Sequence, residues 1–316
     1  MKTINDFNFE NKKALIRVDF NVPLDAEFNV TDTTRIEAAK ASIIKVLEDG
    51  GSAILMSHLG RPKGESNADL SLSHICKTVS EVIGVQVKFS ESSVGASAEQ
   101  AAADLKPGEV LLLENLRFHN EETNGDKNFA EQLSKLGDIY INDAFGTAHR
   151  AHASTTVVAQ FFEENKCFGF LLAKEIEAIE KVMQTGEKPV LAILGGAKVS
   201  SKITIIENIL DKVDHLIIGG GMTYTFIKAQ GGQVGDSICE DDKMPLAMEI
   251  LKQAEAKGVQ IHIPVDVLAA DDFSNSANTQ VVDVDKIPDG WQGLDAGPKT
   301  LENFKEVILK SKTILW

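Results

Sequence analysis

ALIRVDFNVPLDAEFNVTDTTRIEAAKASIIKVLEDGGSAILM, residues 14–56, holds a strand, a polar loop, a helical stretch and a second strand. The apolar runs Ala14–Val18 and Ala53–Met56 are too short for helices and read as buried strands. Thr33–Glu48 between them reads as a helix. A strand, a crossover helix and a strand imply a parallel pair. The alternation continues along the chain. Strands are predicted at Val110–Leu113, Ile139–Ile141, Val190–Leu194, His215–Ile218, Val259–Ile263 and Thr313–Trp316. Helical stretches are predicted at Leu72–Val82, Lys127–Leu136, Lys202–Leu210, Met244–Lys257 and Lys299–Lys310. The expected class is α/β, with parallel sheets covered by helices on both faces. A chain of 316 residues exceeds what one core usually spans, so two doubly wound, Rossmann-like domains are expected.

One segment differs from its neighbours. Leu172, Ile176, Ile179 and Met183 form a single apolar stripe, and Glu175, Glu177, Glu180 and Lys181 cover the other face. It follows the aromatic-rich connector Phe161–Phe170 and precedes Gly186. This predicts a helix over residues 171–185 joining domains at 1–170 and 186–316; one more sheet-covering helix has the same periodicity.

Composition narrows the function classes. The net charge is −15, from 32 basic and 47 acidic residues, which disfavours nucleic acid and anionic membrane as partners. No apolar run has the length of a membrane span, and Met1–Glu10 lacks a signal-peptide core. Cys76, Cys167 and Cys239 lie far apart without a CxxC pair, which suits a reducing cytosol. An acidic chain that handles phosphorylated small molecules must gather its few cations in one place.

In open α/β sheets, ligands bind beyond the carboxyl ends of the strands. The first strand runs into Asp19 and Asn21, the next into His58 and Arg61, another into Arg117 and His119, and the next into His149, Arg150 and His152. Arg35 opens the first helix. Arginine donates two parallel hydrogen bonds to phosphate or carboxylate oxygens, and four arginines at separate strand mouths point to an anion site. His58 is a ligand candidate; His119, His149 and His152 stay open; His74, His215 and His262 read as packing or surface residues. In the second half, GGAKVSSK at 195–202 follows a strand. Gly195 and Gly196 allow close backbone approach, Lys198 and Lys202 supply charge, and Ser200 or Ser201 could cap the next helix. Gly219 and Gly220 begin a second glycine cluster. Two such turns suggest a nucleotide crevice. Asp266 and Asp271 fit either polar ligand contacts or turn formation.

The motifs RVDFNVP (17–23), SHLGRP (57–62), ENLRFHNEE (114–122), NDAFGTAHRAHAS (142–154), GGAKVSSKI (195–203), GGGMTYTF (219–226), PVDVLAAD (264–271) and WQGLDAGPKT (291–300) occur in this order. In that order the chain resembles the phosphoglycerate kinases over its whole length. The resemblance implies a cytoplasmic, typically monomeric glycolytic enzyme that moves a phosphoryl group between ATP/ADP, carried with Mg2+, and 3-phosphoglycerate. It implies substrate contacts from Asp19, Asn21, Arg35, His58, Arg61, Arg117 and Arg150, and a nucleotide loop from Gly195, Gly196, Lys198 and Lys202. Arg35 and Lys198 resemble the pair that stabilises the transferring group. Ser201, Thr223 and Ala296 stand where the family more often has Asp, Ala and Ile. The chain also stops at KTILW, before the family's Asn-Gly-Pro loop and its metal-binding Gly-Gly-Gly-Asp turn, so the activity of the chain as it stands is left open. A nicotinamide dehydrogenase would need GxGxxG, which is absent. A phosphate-binding module without catalysis is the non-enzyme alternative.

Overall fold

A computed structural model describes residues 1–316, which divide into two compact units, Met1–Glu177 and Ala178–Trp316. The first unit is built on six parallel strands: β1 (Lys13–Val18), β2 (Ser52–Met56), β3 (Val87–Ser90), β4 (Val110–Leu113), β5 (Ile139–Asp143) and β6 (Lys166–Phe168). Their order is β3-β4-β2-β1-β5-β6. Chain order reverses between β1 and β5, which makes that edge the switch point where a crevice opens. The strands β2, β4 and β5 are buried at every position. Period-two alternation sorts them into two cores. Ala14, Ile16, Val18, Ala53 and Leu55 face one, and Leu15, Ile54, Met56, Leu111 and Leu113 face the other.

The second unit holds β7 (Val190–Leu194), β8 (His215–Ile218), β9 (Gln233–Val234), β10 (Gln260–His262), β11 (Asp266–Ala270), β12 (Thr279–Asp283), β13 (Lys286–Ile287), β14 (Gln292–Ala296) and β15 (Thr313–Leu315). A parallel sheet runs β10-β8-β7-β15. A three-stranded antiparallel sheet, β12-β11-β14, and a short β13-β9 ladder accompany it. The antiparallel sheet was not foreseen, because TQVVD and QGLDA are polar, half-exposed strands whose apolar signal is weak. The edge strand β6 falls within the connector Phe161–Phe170, and a 3₁₀ turn, Val158–Phe162, overlaps its start.

The helix Phe170–Thr185 carries the boundary between the units. Its apolar stripe is buried only at its start, through Leu172 and Ala173, and Ile179 is 36% exposed. No helix is long and apolar enough to cross a membrane.

Candidate active site

The loops beyond β1, β2, β4 and β5 enclose a cavity of about 270 Å³. Asp19, Asn21, Arg35, His58, Arg61, Arg117 and Arg150 all line it. The chain has only five arginines; four are here and the fifth, Arg17, is buried beneath. Local hydrogen bonds shape the loops. The Asn21 side chain accepts from Gly60 N at 2.8 Å, and Arg117 donates to Gly60 O at 3.0 Å. Asn115 donates to Leu59 O and Leu70 O, both at 2.8 Å, and accepts from Arg117 N. Gly60 takes φ +61°, which a residue with a Cβ adopts only under strain. At Gly146 a Cβ would stand 3.0 Å from the Asp19 carboxylate, so a larger residue would crowd the cavity wall.

The electrostatics favour a polyanion. Asp19 pairs with Arg35. Arg61 and Arg150 are exposed and pair with no carboxylate, and Arg117 Nε is buried without a partner. Burial first, then its neighbours Arg17 and Arg150, weakens the hold of Arg117 on its proton, yet a guanidinium stays charged. An uncompensated cluster of like charge is costly until an anion joins it.

Sequence reasoning missed the layer below. Arg17 and Glu122 are fully buried, with 4.0 Å between Arg17 Nη2 and the Glu122 carboxylate. Ser154 Oγ accepts from Arg17 Nε at 2.8 Å and donates to Glu122 at 2.6 Å, while Ser154 N also donates to Glu122 at 2.9 Å. Arg17 also donates to Val18 O, and its Nη2 lies 3.3 Å from His58 Nδ1. The available signal was an arginine inside the apolar run ALIRV. A charge in a buried strand needs a buried partner, although only the fold could name Glu122. Burial, then Arg17, Arg117 and Arg35, drives the His58 pKa down to about 2. Of the open histidines, His119 packs on Phe129 with ring centres 4.9 Å apart, His149 accepts from Arg150 Nε, and His152 Nδ1 lies 3.8 Å from Glu122.

In the second unit, β7 and β8 deliver the two glycine turns side by side. Gly219 N donates to Leu194 O and Met222 N to Gly196 O, each at 2.8 Å. Gly220 has φ +69°, and a Cβ there would meet Gly196 N and O at 2.9 Å. Gly195, Gly219 and Gly220 line a groove of about 280 Å³ whose other walls include Tyr224, Val267 and Phe304. Lys198 is exposed and Lys202 lies against Gly196; neither lines this groove. Neither serine caps the following helix, Ile203–Ile209, whose N-cap is Lys202 with no side-chain bond. Ser200 N and Oγ instead donate to Glu240, at 2.9 and 2.6 Å, and Ser201 Oγ donates to Lys198 O. The carboxylate is the stronger acceptor, so the serine holds the loop rather than the helix. The aspartates are structural. Asp266 starts β11 and accepts from Lys299 N, Thr300 N and Thr300 Oγ1, capping the helix Pro298–Lys310. Asp271 closes a hairpin through Asn278.

Comparison with known proteins gives one answer. The family described as phosphoglycerate kinase matches residues 4–316. The phosphoglycerate kinase of Porphyromonas gingivalis is 51% identical over 338 residues, covering 99% of this chain and 81% of that protein. That of Moorella thermoacetica is 51% identical over 314 residues, covering 99% and 79%. Among solved structures, phosphoglycerate kinase from Coxiella burnetii matches with TM-score 0.77 at 35% identity, covering 99% of this chain and 79% of that one. The Pyrococcus horikoshii enzyme matches with TM-score 0.80 at 29% identity, covering 99% and 80%.

Proposed function

The chain belongs to the phosphoglycerate kinase family of glycolytic kinases, and from that premise we propose how its residues divide the work. The reaction exchanges 1,3-bisphosphoglycerate and ADP for 3-phosphoglycerate and ATP. Residues 1–170 bind the glycerate phosphate, 186–316 bind the nucleotide, and 171–185 connect them. The observation that carries this reading is the gathering of four of five arginines around one cavity in a chain of net charge −15.

In the proposal, Arg61, Arg117 and Arg150 clamp the substrate's phosphate and carboxylate, and His58, Asn21 and Asp19 fix its orientation. The bare cations Arg61 and Arg150 support this, since an anion would relieve their repulsion. Gly195, Gly196, Gly219 and Gly220 let the backbone approach the nucleotide, with Lys198 and Lys202 on its phosphates. Magnesium comes with the nucleotide as the counter-ion of its phosphates. In-line transfer asks the protein for position and charge rather than for a nucleophile. Arg35 and Lys198 stabilise the transferring group as the units close over it and exclude water. The enzyme acts as a cytoplasmic monomer. A coupled assay with ATP and 3-phosphoglycerate tests the reading: turnover supports it, and calorimetric binding of 3-phosphoglycerate without turnover reduces the chain to a phosphate-binding module.

A further inference from the structure

The protons that link Arg17, Ser154, Glu122 and His58 beneath the cavity can be assigned. Arginine donates and never accepts. Its Nη2 contact with His58, at 3.3 Å, therefore makes His58 Nδ1 the acceptor. Ser154 Oγ receives the Arg17 Nε proton and passes its own to Glu122, so the hydroxyl has no second orientation. Tyr140 Oη holds the same turn through the Ser154 and Thr155 carbonyls, at 2.8 and 3.0 Å. His58 Nε2 makes no hydrogen bond within the protein, and His58 lines the cavity.

From this geometry we infer that His58 is a neutral donor, its proton fixed on Nε2 by Arg17, and that Glu122 and Ser154 act as positioning residues through that arginine. An Nε2–H aimed at the cavity selects an oxygen acceptor, such as a carboxylate or phosphate oxygen of the substrate. His58 takes no part in proton transfer. The charges around it agree. Arg17 lies beneath it; Arg35, Arg61, Arg117 and Arg150 share its cavity; His152 is close by. Asp19, the one carboxylate lining the cavity, is paired with Arg35, and Glu122 faces Arg17 at 4.0 Å and accepts a hydrogen bond from Ser154. A second proton on His58 would meet cations on every side. The identity of the ligand rests on the kinase reading above, whereas the tautomer does not.

Long-range 1H–15N correlation spectra of the full, ligand-free chain test the tautomer. His58 is assigned among the seven histidines by difference with His58→Gln. The expected result is an Nε2–H ring that does not titrate between pH 5 and 8. An Nδ1–H ring, or one that protonates near pH ~6.5, overturns the inference. Arg17→Gln removes the charged guanidinium donor facing Nδ1, so an Nδ1–H population should appear in the spectrum and KM for 3-phosphoglycerate should rise, with kcat little changed, while burial still keeps the ring from titrating near pH ~6.5. If Arg17→Gln does not fold, Ser154→Ala is the milder variant. For the donor role, His58→Gln keeps an N–H near the Nε2 position and should hold 3-phosphoglycerate within a few-fold of wild type. His58→Ala should bind at least ~10-fold more weakly. Equal losses in the two variants would remove the donor role. A wild-type chain without turnover but with the expected ring would remove the kinase reading and leave the tautomer standing.

Discussion

Arg61 and Arg150 stand in the cavity without carboxylate partners, whereas Arg35 is held by Asp19. That difference separates binding from turnover. Arg61→Ala should weaken 3-phosphoglycerate about 10- to 100-fold, the equivalent of a charge-assisted hydrogen bond, with kcat little changed. Titration calorimetry reads this directly, and unchanged affinity would reject the assignment. Arg35→Ala should lower kcat by ~10³, as expected for a cation that meets the transferring group. Turnover within a few-fold of wild type would leave Arg35 out of the transition state. The buried pair behaves differently. Glu122→Gln leaves Arg17 charged and unpaired in the core and should cost about 3–5 kcal/mol of stability, read from the urea midpoint. The cavity arginines could be picked out in the sequence because Arg61, Arg117 and Arg150 lie in loops that follow apolar runs and Arg35 opens the first helix. Glu122 could not, because its partners Arg17 and Ser154 are remote in sequence and it sits among other acidic residues in HNEE.

At the scale of elements, hydrophobic runs identified the strands that lie inside parallel sheets. Burial on both faces makes β1, β2, β4 and β5 nearly continuous in apolar residues. Strands with one solvated face, such as β12 and β14, left no such trace. The same limit explains Asp266. A carboxylate after an apolar run looks like a ligand, but this one caps a helix that begins more than thirty residues later. Burial pushes its pKa up, yet the bonds from Thr300 and Lys299 outweigh that and hold it below the ordinary carboxylate range. Asp266→Ala should therefore cost about 2 kcal/mol, the upper end for a lost cap, while 3-phosphoglycerate affinity stays unchanged. Denaturant melts together with calorimetry separate the two effects; a loss of affinity would show that Asp266 does more than cap. The glycine turns were legible as turns, but the packing of Gly220 against Gly196 needed the fold.

For the whole molecule, charge and acidity set the working range. Burial depresses the pKa of His58, His119, His152 and His262. Unfolded, these rings take up protons near pH ~6.5 that the folded protein refuses, so stability falls as pH drops below that value. The slope is at most ~1.4 kcal/mol per pH unit for each ring. The melting temperature should be lower at pH 5.5 than at 7.5; a flat or rising profile would contradict the burial of these histidines. The confinement of guanidinium groups has another outcome. With Arg17 sealed inside, an α-dicarbonyl reagent finds reactive arginine only around one cavity. Labelling should stop at the four cavity side chains, and a bound phosphate ester should shield them. A chemist holding an unlabelled tube of this protein could thus count its occupied sites by the arginine left unmodified.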